Sequence, residues 1–168
     1  MRWIWIDKII AFKSSESAVA IKNVSMAEEH LHDHFPGFPV MPEALMIEGM
    51  AQISGILVGE ARDFKEKVVL AKVRNAVFFD FVRAGDSLEL HTKMESIQPE
   101  AACTCGYITR KSQKIAEIDL MFSHVDQNMS GLKFPAENFV FEGNTFKSLL
   151  QNFLAEPQAD NNKSEHHA

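Results

Sequence analysis

Apolar and polar positions follow two different periods along this chain, and the change of period divides it. Residues 3 to 11 (WIWIDKIIA) and 18 to 24 (AVAIKNV) are rich in β-branched and aromatic side chains, and Lys13-Ser14-Ser15-Glu16-Ser17 between them is a polar connector of hairpin length. Two antiparallel strands are predicted. Met26 to Asp33 is short and polar, and His34 to Pro42 carries Pro36, Gly37, Pro39 and Pro42, which forbid regular structure and predict a shaped loop. From Pro42 the run ALMIEGMAQISGILVGEARD meets no breaker stronger than glycine and predicts one helix of about five turns. Apolar side chains occupy every face of that helix, and Gly49, Ala51, Gly55 and Gly59 give a strip of small residues, so the helix is expected to be enclosed by its own fold.

Four strand-like runs follow, Val68 to Val82, Ser87 to Ile97, Ala101 to Thr109 and Ile115 to Val125, separated by turns at Ala84-Gly85-Asp86, Gln98-Pro99-Glu100 and Lys111-Ser112-Gln113-Lys114. Leu88, Leu90 and Met94 share one side of their strand, and Ile118, Leu120 and Phe122 one side of theirs, the period of half-buried antiparallel strands. A helix apolar all round and a sheet with one apolar face pack best with the sheet wrapped around the helix, which is an α+β hotdog arrangement. The expected organisation is a hotdog domain over 1–126, an extension over 127–155 and a disordered polar tail over 156–168. In the extension, Asn144 is a good N-cap, and Phe146, Leu149, Leu150, Phe153 and Leu154 recur at helical spacing.

Composition narrows the function classes. Lys and Arg number 17 against 23 Asp and Glu in 168 residues, a net charge of −6 that argues against a general nucleic-acid binder. The most apolar stretch, Met41 to Val58, contains Glu43, Glu48 and Gln52 and falls short of the roughly 20 residues of a bilayer span. The first ten residues lack the pattern of a signal peptide, and Cys103 and Cys105 suit neither a disulfide framework nor a zinc site. A cytoplasmic protein is expected.

Two residues stand out chemically. Glu48 lies in mid-helix among Met46, Ile47, Met50 and Ala51, where burying an ionised carboxylate costs several kcal/mol unless it is paired. His34 opens a proline-stiffened loop that runs straight into that helix, and a histidine near a buried carboxylate is the pairing that proton transfer uses. The helix N-terminus near Pro42-Glu43-Ala44 offers free N–H groups for an oxyanion. His30-Leu31-His32-Asp33-His34 is one residue short of the HxHxDH metallo-hydrolase pattern, so His30 and His32 are read as exposed loop histidines, with no metal and no cofactor expected. Cys103 and Cys105 are read as packing residues.

The segment from His34 to Gln52, HFPGFPVMPEALMIEGMAQ, resembles the active-site signature of FabZ-type (3R)-hydroxyacyl-acyl-carrier-protein dehydratases. Lys22-Asn23-Val24-Ser25, Ala76-Val77-Phe78 and Gly85-Asp86 look like further family landmarks, so the resemblance covers roughly residues 3 to 126. It implies a lyase of fatty-acid biosynthesis in which His34 removes the α-proton of a 3-hydroxyacyl thioester and a protonated Glu48 gives its proton to the departing hydroxyl. Phe35, Gly37, Phe38, Val40, Glu43 and Gln52 would bind substrate or orient the two catalytic residues, the Glu43 N–H holding the thioester carbonyl and the Val40 carbonyl the His34 ring. Glutamate at position 48, in place of aspartate, implies no double-bond migration. The family implies a homodimer that shares its active sites between protomers, with a trimer of dimers left open, and a phosphopantetheine-linked acyl chain on an acidic acyl-carrier protein. Lys72, Arg74, Arg83, Arg110 and Lys111 are the candidates for docking that carrier.

The chain departs from the family at Glu43, usually glycine, at Phe38, usually basic, and at Lys72, often glycine; the usual N-terminal helix is missing. A tunnel narrowed by these side chains would favour short acyl groups. Competing readings are a hotdog acyl thioesterase, a non-catalytic hotdog protein that binds acyl-carrier protein, and hydration of enoyl-coenzyme A, the same reaction reversed.

Overall fold

The computed structural model describes residues 3–125 and 145–155. Six strands, β1 (Lys8–Lys13), β2 (Ser17–Asn23), β3 (Val68–Phe78), β4 (Ser87–Ile97), β5 (Ala101–Arg110) and β6 (Gln113–His124), form one antiparallel sheet in the order β1-β2-β4-β5-β6-β3. A one-turn helix α1 (His30–Asp33) and the long helix α2 (Glu43–Glu60) come between β2 and β3, and α3 (Thr145–Ala155) follows the sheet. The sheet curls around α2, which touches five of its strands, and Ile53, Ile56, Leu57, Ala20, Leu90, Ile108, Ile118 and Leu120 make the fully buried core between them. This is the hotdog fold.

The turns obey local chemistry. Arg110 pairs with Gln113, leaving Lys111 and Ser112 as a two-residue hairpin loop, and both take positive φ (50° and 65°) as the twist of an antiparallel pair demands. Strands β5 and β6 are therefore longer than the expected turn over Lys111 to Lys114 allowed. Leu88 and Leu90 are buried as the period predicts, but a bulge between Met94 and Ser96 shifts the register before the strand ends.

Four expectations need correction. Trp3 to Asp7 is not strand: β1 begins only at Lys8, because the preceding backbone is drawn onto α2, where the Trp5 N–H donates to Gln52 Oε1 at 2.7 Å. The third strand ends at Phe78, four residues short of Val82, because Phe79 to Val82 leave the sheet to join the loop around Asp80. Helix α2 is not wholly enclosed. One sheet covers most of its circumference but leaves Ile47, Glu48, Ala51 and Gly55 half-buried and Ala44 exposed along one face. The small-residue strip accordingly splits, for Gly49 and Gly59 face inward while Ala51 and Gly55 lie on that half-open face.

Helix α3 packs Leu149, Leu150 and Phe153 against β1 and the flank of α2 and leaves Leu154 exposed. The side chain of Phe146, the linker over 127–144 with its N-cap Asn144, and the tail over 156–168 lie outside the described residues. No described helix is long and apolar enough to cross a membrane.

Candidate active site

The loop after α1 is built around Pro36 and Gly37. Proline fixes the second position of the turn, and glycine at the third takes φ +78°, a conformation that side-chain-bearing residues avoid. Phe35 and Phe38 close the turn with two backbone hydrogen bonds of 3.0 and 2.9 Å. The chain then doubles back, so that the Val40 N–H donates to the His34 carbonyl at 2.8 Å and the His34 ring reaches the Val40 carbonyl through Nδ1 at 3.0 Å. A carbonyl only accepts, so Nδ1 carries the ring hydrogen, and in the neutral imidazole Nε2 is left with its lone pair. Val40 is buried, and Met41 N–H donates to Val82 O at 2.8 Å, which ties the loop to the β3–β4 connection.

Pro42 stays extended at φ −56° and ψ 135°, so the helix starts at Glu43, whose side chain is exposed. Pro42 is thus the cap rather than the first helical residue, and the N–H groups of the first turn stand outside the helix's own ladder. One turn on, Glu48 is half-buried on the open face of α2. Its Oε1 accepts from Gln52 Nε2 at 2.7 Å. Among the described residues no hydrogen bond joins His34 to Glu48 within the protomer.

Around the loop the structure gathers aromatic surface. Phe35 is exposed beside the His34 ring, with centroids 4.0 Å apart. Phe38 meets the edge of Phe81 at 5.4 Å and lies under the Arg83 guanidinium at 4.6 Å. A hollow of about 240 Å³ lined by Met26, Gly37, Phe38, Pro39, Arg83 and Ala84 opens there.

The five basic candidates do not form one free patch. Arg110 is held by Asp86 at 3.0 Å, by Asp80 and by the Phe81 carbonyl, and these pairs, Asp86 foremost, raise its pKa further. Arg74 is paired with Glu95 across the outer face of the sheet. Lys72, Arg83 and Lys111 are exposed with no ion pair to another described residue.

His30 departs from the expected exposed histidine. It is half-buried in α1, edge-on to Trp5 at 5.6 Å and 3.5 Å from Glu28, and burial lowers its pKa despite the acid. His32 is exposed. Among the described residues no cluster of His, Cys, Asp and Glu could hold a metal ion. Burial pushes the Cys105 thiol pKa up, with Glu95 and Asp119 adding to it, which disfavours the thiolate a nucleophile needs.

Sequence reasoning passed over Trp3 and Trp5, whose backbone groups hold Gln52: Oε1 accepts from Trp5 N–H, and Nε2 donates to the Trp3 carbonyl at 3.3 Å. Backbone contacts leave no signature in side-chain type, and the only signal was a glutamine on the buried part of a helix.

The FabA-like domain family matches residues 3–118. The FabZ 3-hydroxyacyl-[acyl-carrier-protein] dehydratase of Caldanaerobacter subterraneus subsp. tengcongensis is 35% identical over 121 residues, 71% of this chain and 86% of that protein. The FabZ of Clostridium acetobutylicum is 32% identical over 118 residues, 70% and 84% of the two chains. Among solved structures, the dehydratase heterocomplex ApeI:P from Xenorhabdus doucetiae has the same fold, with a TM-score of 0.62 at 16% identity over 72% of this chain and 82% of that one. The chain belongs to the FabA-like family, as a relative of its FabZ-type proteins.

Proposed function

We propose that this chain is a hydro-lyase that dehydrates (3R)-3-hydroxyacyl groups carried on acyl-carrier protein to trans-2-enoyl groups in fatty-acid biosynthesis. The observation that carries this reading is the fixing of two proton carriers: His34 is held through Nδ1 so that Nε2 points its lone pair away from the loop, and Glu48 is held through Oε1. His34 Nε2 takes the proton from C2 of the acyl chain, the C–H electrons form the C2–C3 double bond, and the C3–O bond breaks. Glu48, protonated on Oε2, gives its proton to the leaving hydroxyl and water departs. Return of the proton from the imidazolium to the carboxylate resets the site. The Glu43 N–H, at the positive end of α2, polarises the thioester carbonyl and stabilises the charge that develops there.

The assembly is a homodimer in which His34 of one protomer faces Glu48 of the other. Two features support it: no hydrogen bond among the described residues joins the two in one chain, and the half-open face of α2 and the exposed apolar edge of β3 remain for a second copy. Carrier docking falls to the exposed charges of Lys72, Arg83 and Lys111, since Arg74 and Arg110 are already engaged.

The test is turnover of a short 3-hydroxyacyl-carrier-protein, followed by absorbance and mass spectrometry. Wild type yields enoyl thioester, and His34→Ala and Glu48→Gln each lose about 10² to 10⁴-fold. Free acid as product would make the protein a thioesterase, and carrier binding without turnover would make it a binding module. Mixing the two dead variants after dissociation restores about one quarter of wild-type activity if sites are shared, because half the dimers are mixed and each has one intact site; sites formed within one chain would restore none.

A further inference from the structure

The N-terminal segment that leaves the sheet, Trp3 to Trp5, lies across α2 at the height of Glu48. We propose that it is a positioning strap for the catalytic acid, acting through Gln52; this rests on the role of Glu48 given above. A carboxamide has two faces of nearly equal shape and opposite hydrogen-bonding character. Seen from α2 alone, Gln52 could turn either face to Glu48, four residues back. The strap removes that choice. The Trp5 N–H can only donate and therefore requires Oε1, which it meets at 2.7 Å. The Trp3 carbonyl can only accept and therefore requires Nε2, at 3.3 Å. Both demand the same orientation, and it is the one that sends the remaining Nε2 hydrogen to Glu48 Oε1 at 2.7 Å.

The orientation has a chemical consequence. With Oε1 of Glu48 engaged as an acceptor, the proton that the proposed acid step needs is carried on Oε2, from which it can leave with the hydroxyl. The opposite flip would put the amide oxygen of Gln52 against Glu48, where it would accept the acid's O–H and hold the proton back from the substrate. Gln52 is 8% exposed, so solvent is poorly placed to substitute for either strap contact.

The strap is itself anchored. Trp5 is 6% exposed, with the Lys22 ammonium 4.1 Å above its ring and His30 against its edge. It lies against Gly49, the neighbour of Glu48, where a Cβ would stand 3.3 Å from Trp5 Cδ1 and 2.7 Å from Leu90 Cδ2. A larger residue there would have to displace the Leu90 methyl and crowd the Trp5 ring, so glycine lets both close on the helix without adjustment.

The test compares wild type with a chain shortened by residues 2–4, which keeps the Trp5 N–H but removes the Trp3 carbonyl and frees the segment. The expected result is a fall in kcat of about 10-fold with KM changed by less than about twofold, the pattern of an acid displaced from its working position. A kcat within about twofold of wild type overturns the strap. A second readout needs neither turnover nor the shortened chain. In wild-type protein the side-chain NH₂ signals of Gln52, assigned by their loss in Gln52→Met, exchange with solvent far more slowly than those of exposed Gln98. Equal exchange overturns the proposal. If wild type makes no enoyl thioester although Gln52 is protected, the dehydratase reading fails while the strap geometry stands.

Discussion

The two edges of the sheet end in opposite ways. At one edge β1 is 6 residues long, carries a bulge between Ile9 and Ala11, and has α3 laid against it through Leu149, Leu150 and Phe153. At the other, β3 is 11 residues long and turns Leu70, Val73 and Val77 to solvent, with Phe79 and Phe81 exposed just beyond. An uncovered apolar edge invites pairing, and proteins that must stay monomeric blunt it. Strand β3 has register shifts of its own, between Leu70 and Lys72 and between Val73 and Asn75, but among the described residues no second helix is laid along it as α3 is along β1. The difference teaches that, among the described residues, the fold is finished on one side by the helix α3 and left open on the other, beside the half-open face of α2 that carries Glu48. Damage to the closed edge should appear as lost stability, and damage to the open edge as lost assembly and lost activity.

The largest effect is expected at β3. If β3 pairs with its copy and the two sites are shared as proposed, Val73→Asp with Val77→Asp places like charges across that seam and should give a folded monomer in sedimentation, with turnover down by about 10²-fold or more. A dimer of normal activity would dissolve the contrast between the edges. Next comes α3: Leu150→Ala, which empties a buried position, should cost about 2 kcal/mol in denaturant unfolding while leaving turnover per folded molecule unchanged. The smallest effect is at His30, which lies against Trp5 and Glu28 and not on β3. Its folded pKa lies below the unfolded value, so the unfolded state binds more protons and stability falls as pH drops below about 6.5 and on through the folded value. His30→Gln should flatten that dependence, as measured by denaturant unfolding at a series of pH values.

What the sequence disclosed was whatever its local chemistry determines. Pro36, Gly37 and Pro42 specify a turn and a helix start whatever surrounds them, so the loop and α2 were legible. The alternation in β4 and β6 located Leu90, Ile118 and Leu120 in the core. Legibility failed where a distant partner decides. Trp3 to Asp7 reads as strand, yet its backbone is claimed by Gln52, 47 residues from Trp5. His30 reads as an exposed loop residue, yet Trp5 and Glu28 enclose it. Val73 and Val77 read as ordinary strand residues, since the pattern reports that a side chain is apolar and not whether its own chain covers it. The same limit applies to Glu48: the sequence marks an acid in an apolar helix, and only the curl of the sheet shows which face stays open.

Trp3 and Trp5 are the chain's two tryptophans, so its whole indole fluorescence arises beside Gln52 and Glu48. Trp3 is exposed, whereas Trp5 is enclosed between Lys22 and His30. Emission from this protein is therefore a local signal. It follows the packing of the Trp5 ring between α2 and the core, so loosening of that corner, as well as global unfolding, shifts it. A native spectrum reports that the surroundings of Gln52 and Glu48 are intact, and it says little about the open edge at β3, where no indole looks on.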